Sequence, residues 1–170
     1  MKPNTILYIL LLATILLVSF VLFRRNFGYA TQISPRVSQF PTPSPHEYPK
    51  LTVGNTTITV EIVTERGDIA RGLGGRESLK GNHGMLFDLG YENTYPRFWM
   101  KDMLISLDFI WIDDGKVVDI TEKVEPPSPG TSDSDLLIYS PKKPVDLILE
   151  VNSGFVEKHG ILIGDEVTVN

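Results

Sequence analysis

Leu107-Asp108-Phe109-Ile110-Trp111-Ile112-Asp113-Asp114-Gly115-Lys116-Val117-Val118 is the stretch on which the fold turns. Asp114-Gly115, set between two runs rich in aromatic and β-branched residues, is the strongest short-range hairpin signal, because a two-residue turn that matches strand twist needs positive φ at both positions. The spacing predicts strands over 107–113 and 116–124. In the first, Leu107, Phe109 and Trp111 share one face and Asp108, Ile110 and Ile112 the other, so both faces are largely apolar. A carboxylate at 108 must then be paired or shifted in pKa. Lys101 and Arg97 are the nearby cations that could pair with it. A structural salt bridge or turn cap is the plain reading of Asp108; a catalytic or ligand-binding acid is the functional one.

Upstream, Leu51-Thr52-Val53 and 56–63 read as strands joined at Gly54-Asn55, with Ile58, Val60 and Ile62 alternating with polar neighbours. Thr64 is a suitable N-cap for a short helix carrying Ile69, Ala70 and Leu73, broken by Gly72, Gly74 and Gly75. Met85-Leu86-Phe87 and 97–100 read as further strands. Downstream, 125–135 is a loop, 136–139 a strand or short helix, and 145–151 an alternating strand. Asn152-Ser153 can cap a second helix running to His159 and ended by Gly160, and 161–169 reads as a strand pair around Gly164-Asp165. The expected fold is α+β and mainly β: a small barrel-like or curled sheet with two short helices, preceded by one transmembrane helix.

The first fifty residues cannot join that core. Residues 6–23 form an apolar run without a charged residue, long enough to cross a bilayer with help from its flanks. A cleaved signal peptide is the rival, with Gly28-Tyr29-Ala30 as its site, but the run is long and Arg24-Arg25 follows it. The expectation is an anchor over 1–25, a spacer over 26–50 holding Pro35, Pro41, Pro43, Pro45 and Pro49, and a folded domain over 51–170. Basic residues flank the apolar run on both sides and count slightly toward an inward domain. An anchor followed by a Pro/Ser/Thr spacer is nonetheless the layout of a domain displayed outside the membrane, which is the reading adopted.

The net charge of −5 is unevenly spread: residues 1–46 carry four basic and no acidic residues, so the remainder is strongly acidic. Such a domain repels polyphosphate, and no basic patch overrides the field, so nucleic acid is not an expected partner. There is no cysteine, and the histidines at 46, 83 and 159 have no metal-ligand spacing. No metal or cofactor is expected. A serine triad lacks both its G-x-S-x-G turn and a placed base, and Asp133-Ser134-Asp135 lacks the remainder of an EF-hand loop.

Six residues remain as ligand-binding candidates. Arg71 and Arg76 flank Gly72-Leu73-Gly74-Gly75, whose backbone N–H groups could cradle an anion or could simply end a helix. In 98–103, read as a strand, Phe98 and Met100 share one face while Trp99 and Lys101 share the other, a surface suited to a sugar or similar polar ligand. The plain alternative is a core Trp99 with Lys101 reaching to water. Asp108 and Glu150 complete the set, Glu150 being an acid at the end of an apolar strand, where a solvent-facing position is the simpler explanation.

These segments, taken in order, resemble the DUF192 family, also called UPF0127. The resemblance is carried by Ala70-Arg71-Gly72-Leu73 with Arg76, Gly84-Met85-Leu86-Phe87, Phe98-Trp99-Met100-Lys101, Leu107-Asp108, Leu149-Glu150 with Gly154, and Ile163-Gly164-Asp165. It covers the chain from about Leu51 to Val169. It implies a small β-rich fold, often behind a signal or anchor, and no inherited activity. The chain departs from the family pattern at Gly74-Gly75, Asp102-Met103 and Ser106. The functional expectation is a non-catalytic, membrane-tethered module at the cell envelope that binds a small polar ligand or a membrane-protein partner. The alternative is an envelope sugar or peptide hydrolase using Asp108 and Glu150 as paired carboxylates.

Overall fold

The structure, a computed structural model, describes residues 48–170; the expected anchor and all but the last residues of the spacer lie outside them. The strands are β1 (Lys50–Val53), β2 (Thr56–Val63), β3 (His83–Asp88), β4 (Leu107–Asp113), β5 (Lys116–Val124), β6 (Leu147–Asn152) and β7 (Val167–Val169). Among the described residues two helices, α1 (Arg66–Arg71) and α2 (Phe155–His159), and a 3-10 turn at Asp133–Asp135 complete the set. Among the described residues no helix is long and apolar enough to cross a membrane.

One seven-stranded sheet runs in the order β5-β4-β6-β3-β2-β1-β7. Every pairing is antiparallel except β2 with β3, which are parallel because α1 and the following loop carry the chain back across the sheet. The predicted hairpin is present, with Asp114 at φ 46° and Gly115 at φ 67°. The sheet curls until its two edges meet at one end. There the Val117 N–H donates to the Asp165 carbonyl at 2.9 Å and the Gly164 N–H to the Val117 carbonyl at 2.8 Å, beside a Lys116–Glu166 bridge. Full edge closure is the surest way to remove unpaired strand groups, and this contact does so over a few residues.

Curling gives the sheet two unequal faces. The inner one gathers Leu51, Ile58, Leu86, Ile110, Leu149 and Val167, drawn from strands across the sheet, and is closed by Phe155 and Val156 of α2. The outer one bears Met85, Phe87, Phe109, Trp111 and Ile148, covered by Leu73, Met100 and Met103 from the connections. Because β3, β4 and β6 are buried on both faces, their sequences are nearly continuous apolar runs. The alternation expected over 145–151 is therefore a pattern of facing and not of exposure. At Gly84 a Cβ would lie 2.7 Å from the Glu150 carbonyl oxygen and 2.9 Å from Leu149 Cδ1, so glycine alone lets β3 lie this close to β6.

Several expected elements take another form. Residues 97–100 and 136–139 make no strand; Phe98 and Tyr139 exchange one pair of backbone hydrogen bonds at 2.9 and 2.8 Å. Pro96 and Pro141 stand beside them and cannot donate to a longer ladder. The 161–169 segment yields β7 after a turn, not a strand pair. Glu65, not Thr64, stands at the N-cap of α1, and Gly154 at that of α2; neither offers a side-chain cap.

Candidate functional site

The C-terminal end of α1 and the segment 97–103 meet over the outer face of the sheet. Helix α1 stops at Gly72, which takes φ 50° and ψ −134°, a region open to glycine. The chain then passes through Leu73 into the core, and the Gly75 N–H donates to the Asp102 carbonyl at 2.8 Å. That bond ties the glycine turn to a second tight turn, closed by the Met103 N–H on the Met100 carbonyl with Asp102 at φ 56°. Phe98 anchors this second segment. Its ring meets Phe87 edge-on at 5.0 Å and Trp111 at 5.9 Å, contacts worth about 0.5–1.5 kcal/mol each beyond buried area. With Phe98 and Met100 turned inward, Trp99 is left 43% exposed, and the Lys101 ammonium stands 6.0 Å from its ring centroid.

Between the two turns lies a cavity of about 140 Å³. Its walls are apolar, among them Ile69, Leu73, Phe87 and Met103, and its charged members are Arg71, Arg97, Lys101 and Glu150. An open depression shares Ala70, Arg71, Trp99 and Lys101 with it and adds Asp102. Glu150 is the floor. It projects from the centre of β6, opposite Met85 on one side and Phe109 on the other, and is 4% exposed. A Cβ on Gly72 would stand 3.9 Å from Glu150 Oε2, so the missing side chain keeps the space above the carboxyl open. The carboxyl makes no hydrogen bond or ion pair among the described residues. Loss of water around it pushes its pKa up to about 8, so at neutral pH it is mostly a protonated acid, both donor and acceptor.

The cations stand higher, at the rim. Arg71 pairs with Asp68 one helical turn back, and Lys101 pairs with Asp133 of the 3-10 turn. That partner holds the Lys101 ammonium above its usual pKa. Arg97 is exposed and has no ion-pair partner among the described residues. No group of three or more histidines, aspartates or glutamates there is placed to hold a metal.

Residues 49–169 match the DUF192 family, described as an uncharacterized ACR, over well more than half of the chain. The chain belongs to that family. A comparison with curated proteins gives no match. Two solved structures are similar to this DUF192 domain. One is a protein from Sinorhizobium meliloti 1021, described as a candidate transcription regulator: it is 29% identical, with a TM-score of 0.63 over 74% of this chain and 98% of that one. The other, of unknown function, comes from Novosphingobium aromaticivorans DSM 12444: it is 25% identical, with a TM-score of 0.62 over 77% of this chain and 94% of that one.

Within this DUF192 domain the structure divides the six candidates. Arg71, Trp99, Lys101 and Glu150 surround one cavity. Arg76 does not reach it; its guanidinium forks onto Glu61 at 2.6 and 2.7 Å, which holds the Glu61 carboxyl below its usual range. Asp108 does not reach it either. It pairs in register with Val151, one residue from Glu150, and so points through the other face of the sheet. Its partners are neither Lys101 nor Arg97 but two backbone donors, Lys123 N–H at 2.9 Å and Val156 N–H at 3.1 Å. The second is an N-terminal N–H of α2, so Asp108 caps from outside a helix whose own N-cap is glycine.

Asp108 and Glu150 therefore do not flank one cleft, which corrects the alternative reading of them as paired carboxylates of a hydrolase. Glu150 is also not solvent-facing: β6 is central, and both its faces are covered. Sequence reasoning named Arg97 only as a partner for Asp108 and did not place it at the site. Its position just before Phe98 was the available signal.

Proposed function

We propose that the domain is a binding module that seats a small, largely apolar ligand with one polar end over Glu150. The observation that carries this is the unpartnered Glu150 carboxyl at the floor of a cavity with apolar walls. A buried polar group normally finds a partner in its own protein. Here a ligand would supply it, and at neutral pH the acid costs less to leave unpaired than its anion would. The cavity matches the size of one six-membered ring, since a dry apolar cavity of about 150 Å³ accommodates benzene.

A blocking variant tests this. Ala70 is exposed on α1 and lines the cavity, so Ala70→Phe can cover the mouth without disturbing the core. Phenol at millimolar concentration should raise the thermal midpoint of the wild-type protein through binding to the folded state alone. It should do nothing for Ala70→Phe. Equal responses of the two proteins would refute the site.

We further propose, on the apolarity of residues 6–23 and the proline-rich segment after them, that the domain is tethered to a membrane and faces outward. Full-length protein would then sediment with membranes after an alkaline wash and be degraded by protease added to intact cells. Recovery in the soluble fraction would end that proposal.

A further inference from the structure

We propose that the cavity selects a small ring-shaped anion, held with a neutral hydrogen-bonding group inward on Glu150 and its anionic group outward on Arg97. This rests on the binding reading above and adds to it the polarity and orientation of the ligand.

The inner end follows from the floor. Glu150 is 4% exposed, makes no hydrogen bond or ion pair among the described residues, and lies among Leu73, Phe87 and Met103. A neutral carboxyl offers one O–H donor and free acceptor lone pairs, which a hydroxyl, able to donate and accept, satisfies together. An anionic group driven to this depth would lose its hydration beside an acid and gain no cation there. An ammonium group would meet an acid, but inside a cavity whose lining also carries Arg71, Arg97 and Lys101.

The outer end follows from counting partners at the rim. Arg71 is engaged by Asp68 and Lys101 by Asp133, whereas Arg97 has no acid among the described residues. Asp102, in the adjoining depression, acts on Lys101 and forms no ion pair with Arg97. Among the described residues Arg97 is thus the cavity cation without an ion pair, and its planar guanidinium fits a carboxylate or phosphate through two parallel hydrogen bonds. The middle follows from Phe87 and Trp99, which present aromatic surface to a ring lying between the two ends. The domain as a whole is acidic, so selection of an anion would have to act at contact and would not be helped by long-range attraction.

Isothermal titration calorimetry of the full chain in detergent, with 4-hydroxybenzoate, phenol, benzoate and benzylamine as probes, tests this. 4-Hydroxybenzoate should bind roughly ten-fold or more tightly than phenol, the gain expected from at least one of the two charge-assisted hydrogen bonds. It should also bind more tightly than benzoate, which lacks the inner hydroxyl, and benzylamine should bind most weakly. Arg97→Gln, an exposed change, should bring 4-hydroxybenzoate down to the value phenol has with the same variant. If phenol binds and 4-hydroxybenzoate gains nothing, or if Arg97→Gln changes neither, the cavity reading stands and the anion inference falls. Tightest binding by benzylamine would also overturn the anion inference. If no probe binds, both fall.

Discussion

Glutamine at position 150 would keep the shape and hydrogen-bonding capacity of the side chain while removing its proton equilibrium. Burial raises the Glu150 pKa from 4.5 to about 8 on folding. Between those values the folded protein holds a proton that the unfolded chain has released, so stability is highest below the unfolded pKa and falls as pH rises toward the folded one. The slope is about 1.4 kcal/mol per pH unit. From about pH 5 to about pH 7.5 the wild-type protein should therefore lose about 3 kcal/mol that Glu150→Gln does not lose. For a domain of this size that corresponds to a difference of about 10 °C in midpoint. Other groups cancel in the comparison. Glu61, held low by Arg76, contributes stability that disappears only as pH falls through its own lowered pKa, below this window. Asp113, raised by burial and then by Asp114 and Glu92, is present in both proteins. Urea unfolding of both proteins across the window is the assay. Parallel stability curves would refute a buried, unpartnered acid.

Asp108→Asn should cost about 2–3 kcal/mol in urea unfolding, because an amide can accept only one of the two backbone hydrogen bonds and turns a donor toward the other. It should leave phenol binding unchanged; lost binding in a folded Asp108→Asn protein would show that Asp108 belongs to the site. Gly84→Ala should destabilise by about 1–3 kcal/mol or more, since its Cβ meets backbone and two side chains of β6; a neutral effect in thermal unfolding would contradict the close approach of β3 and β6. Arg76→Gln should cost less than about 1 kcal/mol, the pair with Glu61 being half-exposed, and a binding defect measured by calorimetry would return Arg76 to the site.

The sheet was legible where the chemistry is local. Asp114-Gly115 marks the β4–β5 turn without help from the remaining chain, and Ile58 and Val60 mark the buried face of β2 by their spacing. The parallel β2–β3 pairing was not legible, because the alternation of a strand says nothing of its neighbour's direction. Segment 97–103 gave correct facing for Phe98 and Met100 but the wrong element, since a single bridge and a tight turn impose the same in-and-out order as a strand. For the acids, the decisive quantity was parity along a shared register. Asp108 and Glu150 both follow apolar residues, yet one falls beside α2 on the inner face and the other beneath the Gly72 gap on the outer face. Burial of Glu150 depends on β3 and β4 lying on either side of it, a fact about pairing that its own neighbours in sequence do not carry.

The most direct measurement is a carbon-detected NMR titration of the Glu150 carboxyl in glutamate-labelled protein, with and without phenol. A midpoint near 8 is expected in the free protein, with a displaced carboxyl resonance when phenol is added. A midpoint in the ordinary range of about 4.3, with a resonance indifferent to phenol, would contradict that expectation.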